Sequence, residues 1–390
     1  MKRLLYIAFK DFSNLHFGAN AKVLAQCSAF SQYGYDVELI GRNGSDTVLI
    51  QQEQQRSIGV HRRNRIKNKR FQSLFGKLNQ YSDIIEYCGS KRYDACYIRY
   101  DFSDAGFISL LKRLSKVCNN IVIELPTYPY EEENKNGVLS KIKLLIDKHY
   151  RMQLYHYVRS FVTFYDGYST LFGIPVIVVP NGFDFSTMQL VTQELEKDVV
   201  HVIAVSSMRE WHGYERFLAG MRDYYIHGGD KNLILHLVGN GRECSKYKAL
   251  AEEYSLGAHV VFEGAMHGEA LDAVYEKCAV GIDSLARHRS GIDVLSSLKS
   301  REYGAKGIPI INSCKIDILD ADFPYLLRVP ADESPINIAD VLEFCQTCYE
   351  GKNRIEVGKE IRKYIEERSG MKQTLKKVVE LFEMGCSMPY

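Results

Sequence analysis

The chain has 390 residues, between two and three times the roughly 150 of a typical domain, and its 46% hydrophobic and 25% charged residues are an ordinary globular composition. Fifty Lys and Arg against 48 Asp and Glu leave a net charge of +2, which excludes a broad electrostatic footprint for nucleic acid; any anion site must be local. No run reaches the roughly 18 to 20 apolar residues of a spanning helix, and Leu4 to Phe9 is too short for a signal-peptide core before Lys10 and Asp11, so a cytoplasmic location is expected. The ten Cys are scattered; Cys345 and Cys348 form a lone C-x-x-C without a second pair or His cluster, and reduced thiols are expected.

In chain order, Leu4 to Phe9 has strand length, and after a loop holding Gly18 a helix is predicted from Val23, Leu24, Cys27 and Phe30, ended by Gly34. Val37 to Ile40, Ala95 to Ile98, Ile121 to Leu125, Phe161 to Phe164 and Val176 to Val179 are short apolar strands of the kind buried in parallel sheets. The alternation then restarts. Strands are predicted at Val199 to Val205, Leu233 to Val238, Val260 to Phe262, Val280 to Ile282 and Pro309 to Ile311. Helices between them are predicted over His212 to Tyr225, Ser245 to Tyr254, Glu269 to Cys278 and Ser297 to Lys306, with a final one near Lys372 to Met384.

The fold class is therefore α/β, two tandem doubly wound Rossmann-like domains whose strand-end loops face one another across a cleft. The turn Pro180-Asn-Gly-Phe-Asp184 marks the boundary, giving domains 1–184 and 185–370 and a terminal helix, 371–390, packing back across them.

Candidate site residues follow from strand ends and helix starts. Glu302 shares an apolar face with Leu295, Leu298 and Ala305; it either accepts hydrogen bonds from sugar or ribose hydroxyls or pairs with Lys306 or Lys299. The helix start at Ser297 and Leu298, aided by Lys299, suits a phosphate. A second anion site is available after Val205, where Arg209 and His212 precede a helix, unless both are ordinary loop and helix-end residues. Gly239, Asn240 and Gly241 follow one strand and Gly18 and Asn20 another; such glycines either admit a ligand or make turns. Neither is a G-x-G-x-x-G fingerprint, so a nicotinamide dehydrogenase is not supported.

Nearly the whole chain resembles a GT-B glycosyltransferase of the family 4 type, a retaining group with many bacterial polysaccharide enzymes. The resemblance rests on the Gly18 loop, Pro180-Asn-Gly-Phe-Asp184, Leu237-Val-Gly-Asn-Gly241 and Glu302-Tyr-Gly-Ala-Lys-Gly-Ile-Pro309, in that order. It implies an N-terminal acceptor domain, a C-terminal donor domain and Glu302 as the ribose-binding carboxylate. The family's first Glu, however, falls on Val294, with Asp293 the adjacent candidate replacement, and its diphosphate-clamping Arg and Lys align with Ser207 and His212. The clamp must then be rebuilt from Arg209, Lys299, Arg301 and the loop Arg287-His-Arg289, guanidinium groups being well shaped for diphosphate. Where relatives use an N-terminal His beside the transferred sugar, Glu124 is either a replacement or a structural carboxylate.

The implied chemistry is transfer of a hexose-type group from a UDP- or GDP-linked sugar to a glycan or lipid-linked acceptor hydroxyl in cell-surface polysaccharide or glycoconjugate synthesis. Glu124 and Glu302 are the candidate catalytic groups, charge on the leaving diphosphate is stabilised electrostatically, and neither a cofactor nor a metal is expected. Six Lys or Arg lie within residues 61–70, and five in Lys141 to Arg159 alternate with Tyr150, Tyr155 and Tyr157; they are either solvated faces or a peripheral contact with an anionic inner leaflet. The competing readings are a nucleotide-sugar-binding accessory subunit without turnover, motivated by Val294 and Ser207, and a GT-B epimerase or phosphorylase.

Overall fold

The computed structural model describes residues 2–15, 19–51, 54–59, 69–126, 138–164 and 167–384. Gly18 and most of the basic stretch 61–70 lie outside them. Two compact units emerge: residues 1–182 together with 371–390, and residues 183–370. The division falls two residues before the boundary read from the sequence, and the terminal segment belongs to the first unit.

The first unit opens with β1 (Lys2–Asp11), α1 (Ala19–Gln32), β2 (Tyr35–Asn43), β3 (Asp46–Gln51), β4 (Gln54–Gly59), α2 (Lys69–Cys88) and β5 (Ala95–Arg99). It continues with α3 (Ala105–Leu114), β6 (Ile121–Leu125), α4 (Val138–Arg151), β7 (Ser160–Thr163), β8 (Thr170–Leu171) and β9 (Ile174–Val178). The sheet order is β4-β3-β2-β1-β5-β6-β7-β9-β8, parallel from β2 to β9 and antiparallel at both margins. The β3–β4 hairpin was not expected: β3 carries the buried run Val48 to Ile50, which the sequence reading passed over, and the edge strand β4 is polar and lacks the apolar run that marks buried strands.

Successive β1 side chains enter opposite cores, as a pleated strand buried on both faces requires. Leu5 and Ile7 pack with Phe107, Leu111 and Phe161; Leu4 and Tyr6 pack with Phe30 and with Leu375 and Phe382.

The second unit contains β10 (Val199–Val205), α5 (Tyr214–Ile226), β11 (Asn232–Val238), α6 (Cys244–Glu253), β12 (Val260–Gly264), α7 (Glu269–Tyr275) and β13 (Val280–Ile282). After these come β14 (Val294–Leu295), α8 (Leu298–Lys306), β15 (Ile310–Asn312), β16 (Lys315–Ile316), β17 (Leu326–Arg328), α9 (Ile338–Tyr349) and α10 (Arg354–Ser369). α11 (Met371–Glu383) then returns to the first unit, where it packs beside α1. The sheet is all parallel in the order β12-β11-β10-β13-β15-β17, the doubly wound order whose direction of strand addition reverses between β10 and β13. Its faces are filled separately, by Val202, Ala204, Phe217 and Met221 on one side and by Ile203, Tyr303, Ile310 and Ile365 on the other.

The predicted helix from His212 starts at Tyr214, because Gly213 adopts φ +65° and breaks it from a single 3-10 turn at Glu210–His212. Cys345 and Cys348 are buried free thiols one helical turn apart on α9, and burial pushes both up to about 12, which keeps them protonated and inert.

Candidate functional site

In open parallel sheets ligands bind beyond the strand C-termini where the winding direction reverses. In the second unit that point lies between β10 and β13, and the loops leaving those strands are stitched together. Leu285 N donates to His212 O at 2.8 Å, Tyr214 OH donates to Asp283 O at 3.3 Å, and a side chain on Gly213 would strike Ala286.

Asp283, the residue after β13, organises the centre. It is fully buried, yet Lys299 and hydrogen bonds from α8 hold its carboxyl below the usual range against desolvation. Ser300 Oγ donates to its Oδ2 at 2.5 Å, and Lys299 Nζ lies 3.1 Å from its Oδ1. The same ammonium donates to Asp283 O at 2.5 Å and to Ser284 Oγ at 3.3 Å. Three acceptors thus occupy the three protons of Lys299. Lys299, expected on a donor phosphate, is instead the counter-ion of a buried carboxylate. The sequence reading missed Asp283, although an Asp directly after a wholly apolar strand was a signal for it.

His212 is 4% exposed and accepts a hydrogen bond at Nδ1 from Arg209 N at 2.9 Å, which places its proton on Nε2. Burial, with Lys299 and Arg287 adding like charge, lowers it to about 2, so the ring is neutral at physiological pH. It stacks against Tyr214 with ring centroids 5.5 Å apart. His212 is therefore a loop-shaping residue with an uncharged donor, whereas the aligned position in the resembled family holds a cation.

The cations of the site divide into two groups. Arg289 is bound by Glu333 and Glu215 and donates to Glu210 O at 2.7 Å; Arg301 is fully buried and grips both Asp317 oxygens at 2.6 and 2.7 Å. Both are corrections to their expected role at a diphosphate, because their guanidinium groups are already committed to carboxylates. Arg209 and Arg287, by contrast, form no ion pair among the described residues. The Arg287 guanidinium lies 5.6 Å from the Trp211 ring centroid, its buried Nε has no partner among the described residues, and burial lowers its pKa although the Asp283 carboxylate opposes the shift.

Ser297 caps α8 by accepting from Lys299 N at 3.0 Å, and Leu298 beside it is exposed. Half-buried Glu302 accepts from Tyr275 OH at 2.9 Å, and desolvation raises its pKa. Neither anticipated lysine pairs with it, since Lys306 binds Asp272 at 2.6 Å and Lys299 binds Asp283. Val294 and Asp293 are exposed.

Gly239 and Gly241 serve the backbone: a Cβ on the first would strike Ser206 O and on the second Ser207 O, and Gly239 has φ +116°. They let the β10 and β11 loops touch, while Asn240 and Ser207 remain exposed. Between them Met208, fully buried, holds φ +37°, a strained value for a side-chain-bearing residue.

In the first unit, Asn20 Nδ2 donates to Asp11 O at 2.7 Å and Asn14 O at 2.9 Å, fixing the loop after β1. Glu124 is wholly buried and accepts from Arg99, Gln26 and Tyr97, the last at 2.8 Å. Of the two readings left open for it, this geometry is that of the structural carboxylate.

No group of three or more His, Cys, Asp or Glu among the described residues is arranged to hold a metal ion. A D-x-D triplet, Asp320-Ala-Asp322, does occur; Asp320 accepts from Tyr364 OH at 2.5 Å and sits 3.5 Å from Arg368.

No family model matches the chain, and no curated protein matches it. Solved structures do. Sucrose-phosphate synthase from Thermosynechococcus elongatus superposes with a TM-score of 0.64 at 16% identity, over 98% of both chains. HepE from Anabaena, in complex with UDP, gives 0.56 at 13% identity over 98% of this chain and 100% of its own. WaaG, a glycosyltransferase involved in lipopolysaccharide biosynthesis, gives 0.54 at 12% identity with the same coverage. At these identities the likeness establishes the fold, and this chain has the two-unit α/β fold of GT-B glycosyltransferases.

Proposed function

We propose that this protein is a glycosyltransferase that moves a sugar from a nucleotide diphosphate sugar to a hydroxyl of a glycan or lipid-linked acceptor. The observation that carries this reading is the pair Arg209 and Arg287 at the winding reversal of the second sheet, which form no ion pair among the described residues while Arg289, Lys299 and Arg301 are each held by a carboxylate. A diphosphate supplies the missing negative charge, and guanidinium groups match its oxygens. The fold shared with HepE, whose structure holds UDP, supports the same assignment.

In this scheme Arg209, Arg287 and the backbone amides opening α8 stabilise charge on the departing diphosphate, His212 contributes its neutral Nε2–H, and Glu302 receives the ribose hydroxyls. Lys299 and Asp283 hold the α8 terminus against the β13 loop. Retention of anomeric configuration and independence from metal are what the family resemblance implies.

Thermal stabilisation by UDP, GDP, ADP and their sugars tests this, with Glu302→Ala as control. A base-selective rise in Tm that the variant loses supports the reading. Nucleotide binding without release of nucleoside diphosphate, across a panel of acceptors, favours the accessory subunit that exposed Val294 suggests. Absence of any shift sinks the donor site.

A further inference from the structure

The second unit buries a pair of histidines outside the donor site. His201 on β10 and His236 on β11 alternate with Val202 and Leu235, so both rings rise from the sheet face that carries Ile203 and Val238. The two residues are 7% and 6% exposed, and their rings stack with centroids 5.1 Å apart. His201 Nδ1 meets His236 Nε2 at 2.9 Å, and His236 Nδ1 meets Oε1 of Glu263, on β12, at 2.8 Å.

Counting protons along this row fixes its state. An ionised Glu263 only accepts, so His236 carries a proton on Nδ1 and, while neutral, offers a lone pair at Nε2. His201 must then donate from Nδ1, which leaves its own Nε2 without a proton. That nitrogen is buried with no hydrogen-bond partner among the described residues, and it faces Glu196 Oε1 at 3.7 Å. Two acceptors thus confront one another across a gap that one proton closes. With that proton in place every nitrogen of the row is bonded, and a single positive charge lies between two carboxylates. A second proton is shut out, because it would set N–H against N–H where the rings meet.

Glu196 belongs to the segment that leads into β10. The start of this segment is fixed: Val191 N donates to Lys306 O at 3.1 Å, Thr192 N and Gln193 N each donate to Glu276 Oε2 at 2.9 Å, and Arg354 Nη1 donates to Gln193 O at 2.7 Å. From Glu194 to Asp198 the chain is exposed except for half-buried Leu195. Among the described residues, the approach of Glu196 to His201 is the one ion-pair contact that this stretch makes.

We propose that His201 and His236 form a one-proton switch that fastens residues 194–198 to the second sheet on mild acidification. Besides the two carboxylates, the groups around the pair are Lys277 and Cys278 after α7 and Arg354 on α10. Lys277 opposes the added charge, burial keeps the Cys278 thiol protonated, and Arg354 is spent on the carbonyls of Gln193, Tyr275 and Cys278. Burial first, then His236 and Lys277, lower the pKa of His201 against the pull of Glu196, so the switch stands open at neutral pH. The fastening is local. The unfolded chain takes up the His201 proton at higher pH than the folded chain does, so global stability still declines with acid.

Hydrogen–deuterium exchange of the full chain at pH 5.5 and 7.5, corrected for intrinsic exchange rates, is the test. Amides of residues 194–198 are expected to gain protection by roughly threefold or more at the lower pH. Glu196→Ala, at an exposed position, should abolish that gain with unchanged Tm at pH 7.5. In the wild type, nitrogen NMR of histidine-labelled protein should find both rings protonated on Nδ1 at pH 7.5, with one proton added to the pair on acidification.

Equal protection of residues 194–198 at both pH values overturns the proposal, as does a gain that Glu196→Ala retains or a proton on His201 Nε2 at pH 7.5. All of these are read without nucleotide, and the switch does not depend on the donor site, so its failure and failure of the transferase reading remain distinguishable.

Discussion

Lys299 Nζ sits 3.1 Å from the carboxylate of Asp283 and 2.5 Å from the carbonyl oxygen of the same residue, clamping the start of α8 to the end of β13. A wholly buried carboxylate needs that cation. Lys299→Met should cost about 3–5 kcal/mol in urea unfolding, and Lys299→Met combined with Asp283→Asn should recover most of it. Were Lys299 only a ligand contact, the single variant would unfold like the wild type.

The same pair gives a pH dependence. The Asp283 carboxyl titrates lower folded than unfolded, so its contribution is fully present above the ordinary carboxylate range and is lost as pH falls through the lower folded value. His212 works over a higher window. Its folded value of about 2 lies below the roughly 6.5 of an unfolded His, so below that pH the unfolded chain binds the extra proton. Stability should therefore decline on acidification from neutrality, with this one group contributing up to about 1.4 kcal/mol per pH unit. His212→Asn retains an acceptor for Arg209 N and should remove that part of the slope in unfolding curves at pH 5 and 7.

Arg287 and Arg289 are neighbours with different duties. Arg287→Ala should weaken nucleoside diphosphate binding in calorimetry by roughly 10- to 100-fold, the loss of a charge-assisted hydrogen bond, with little change in Tm. Arg289→Ala removes bonds to Glu215 and exposed Glu333, so it should cost under about 1 kcal/mol of stability and leave nucleotide affinity unchanged. A reversed order of effects would move the donor phosphate to the other side of the loop.

Glu124→Gln leaves the Arg99 guanidinium, 8% exposed, without its carboxylate. A loss of about 3–5 kcal/mol in chemical unfolding is expected, whereas unchanged stability with abolished turnover would restore a direct catalytic role.

Gly241→Ala should destabilise by more than about 1 kcal/mol, because the new methyl meets the Ser207 carbonyl oxygen and the loops must separate. Differential scanning calorimetry reads this directly.

Apolar runs determined where the central strands lie: Ile121–Leu125, Val199–Val205 and Val280–Ile282 occupy the residues their composition marks, since a strand buried on both faces is a nearly continuous apolar run, interrupted here only by Glu124 and His201. Ser297 and Gly307 likewise announce α8, because cap chemistry is local. What tertiary structure alone decided is which charges are spent. Lys299, Arg289 and Arg301 look interchangeable with Arg209 and Arg287 along the chain. Only the fold brings Asp283, Glu215, Glu333 and Asp317 to the first three and leaves the other two with no ion pair among the described residues. The partners lie 16 to 74 residues apart, and no periodicity carries a pairing over such distances.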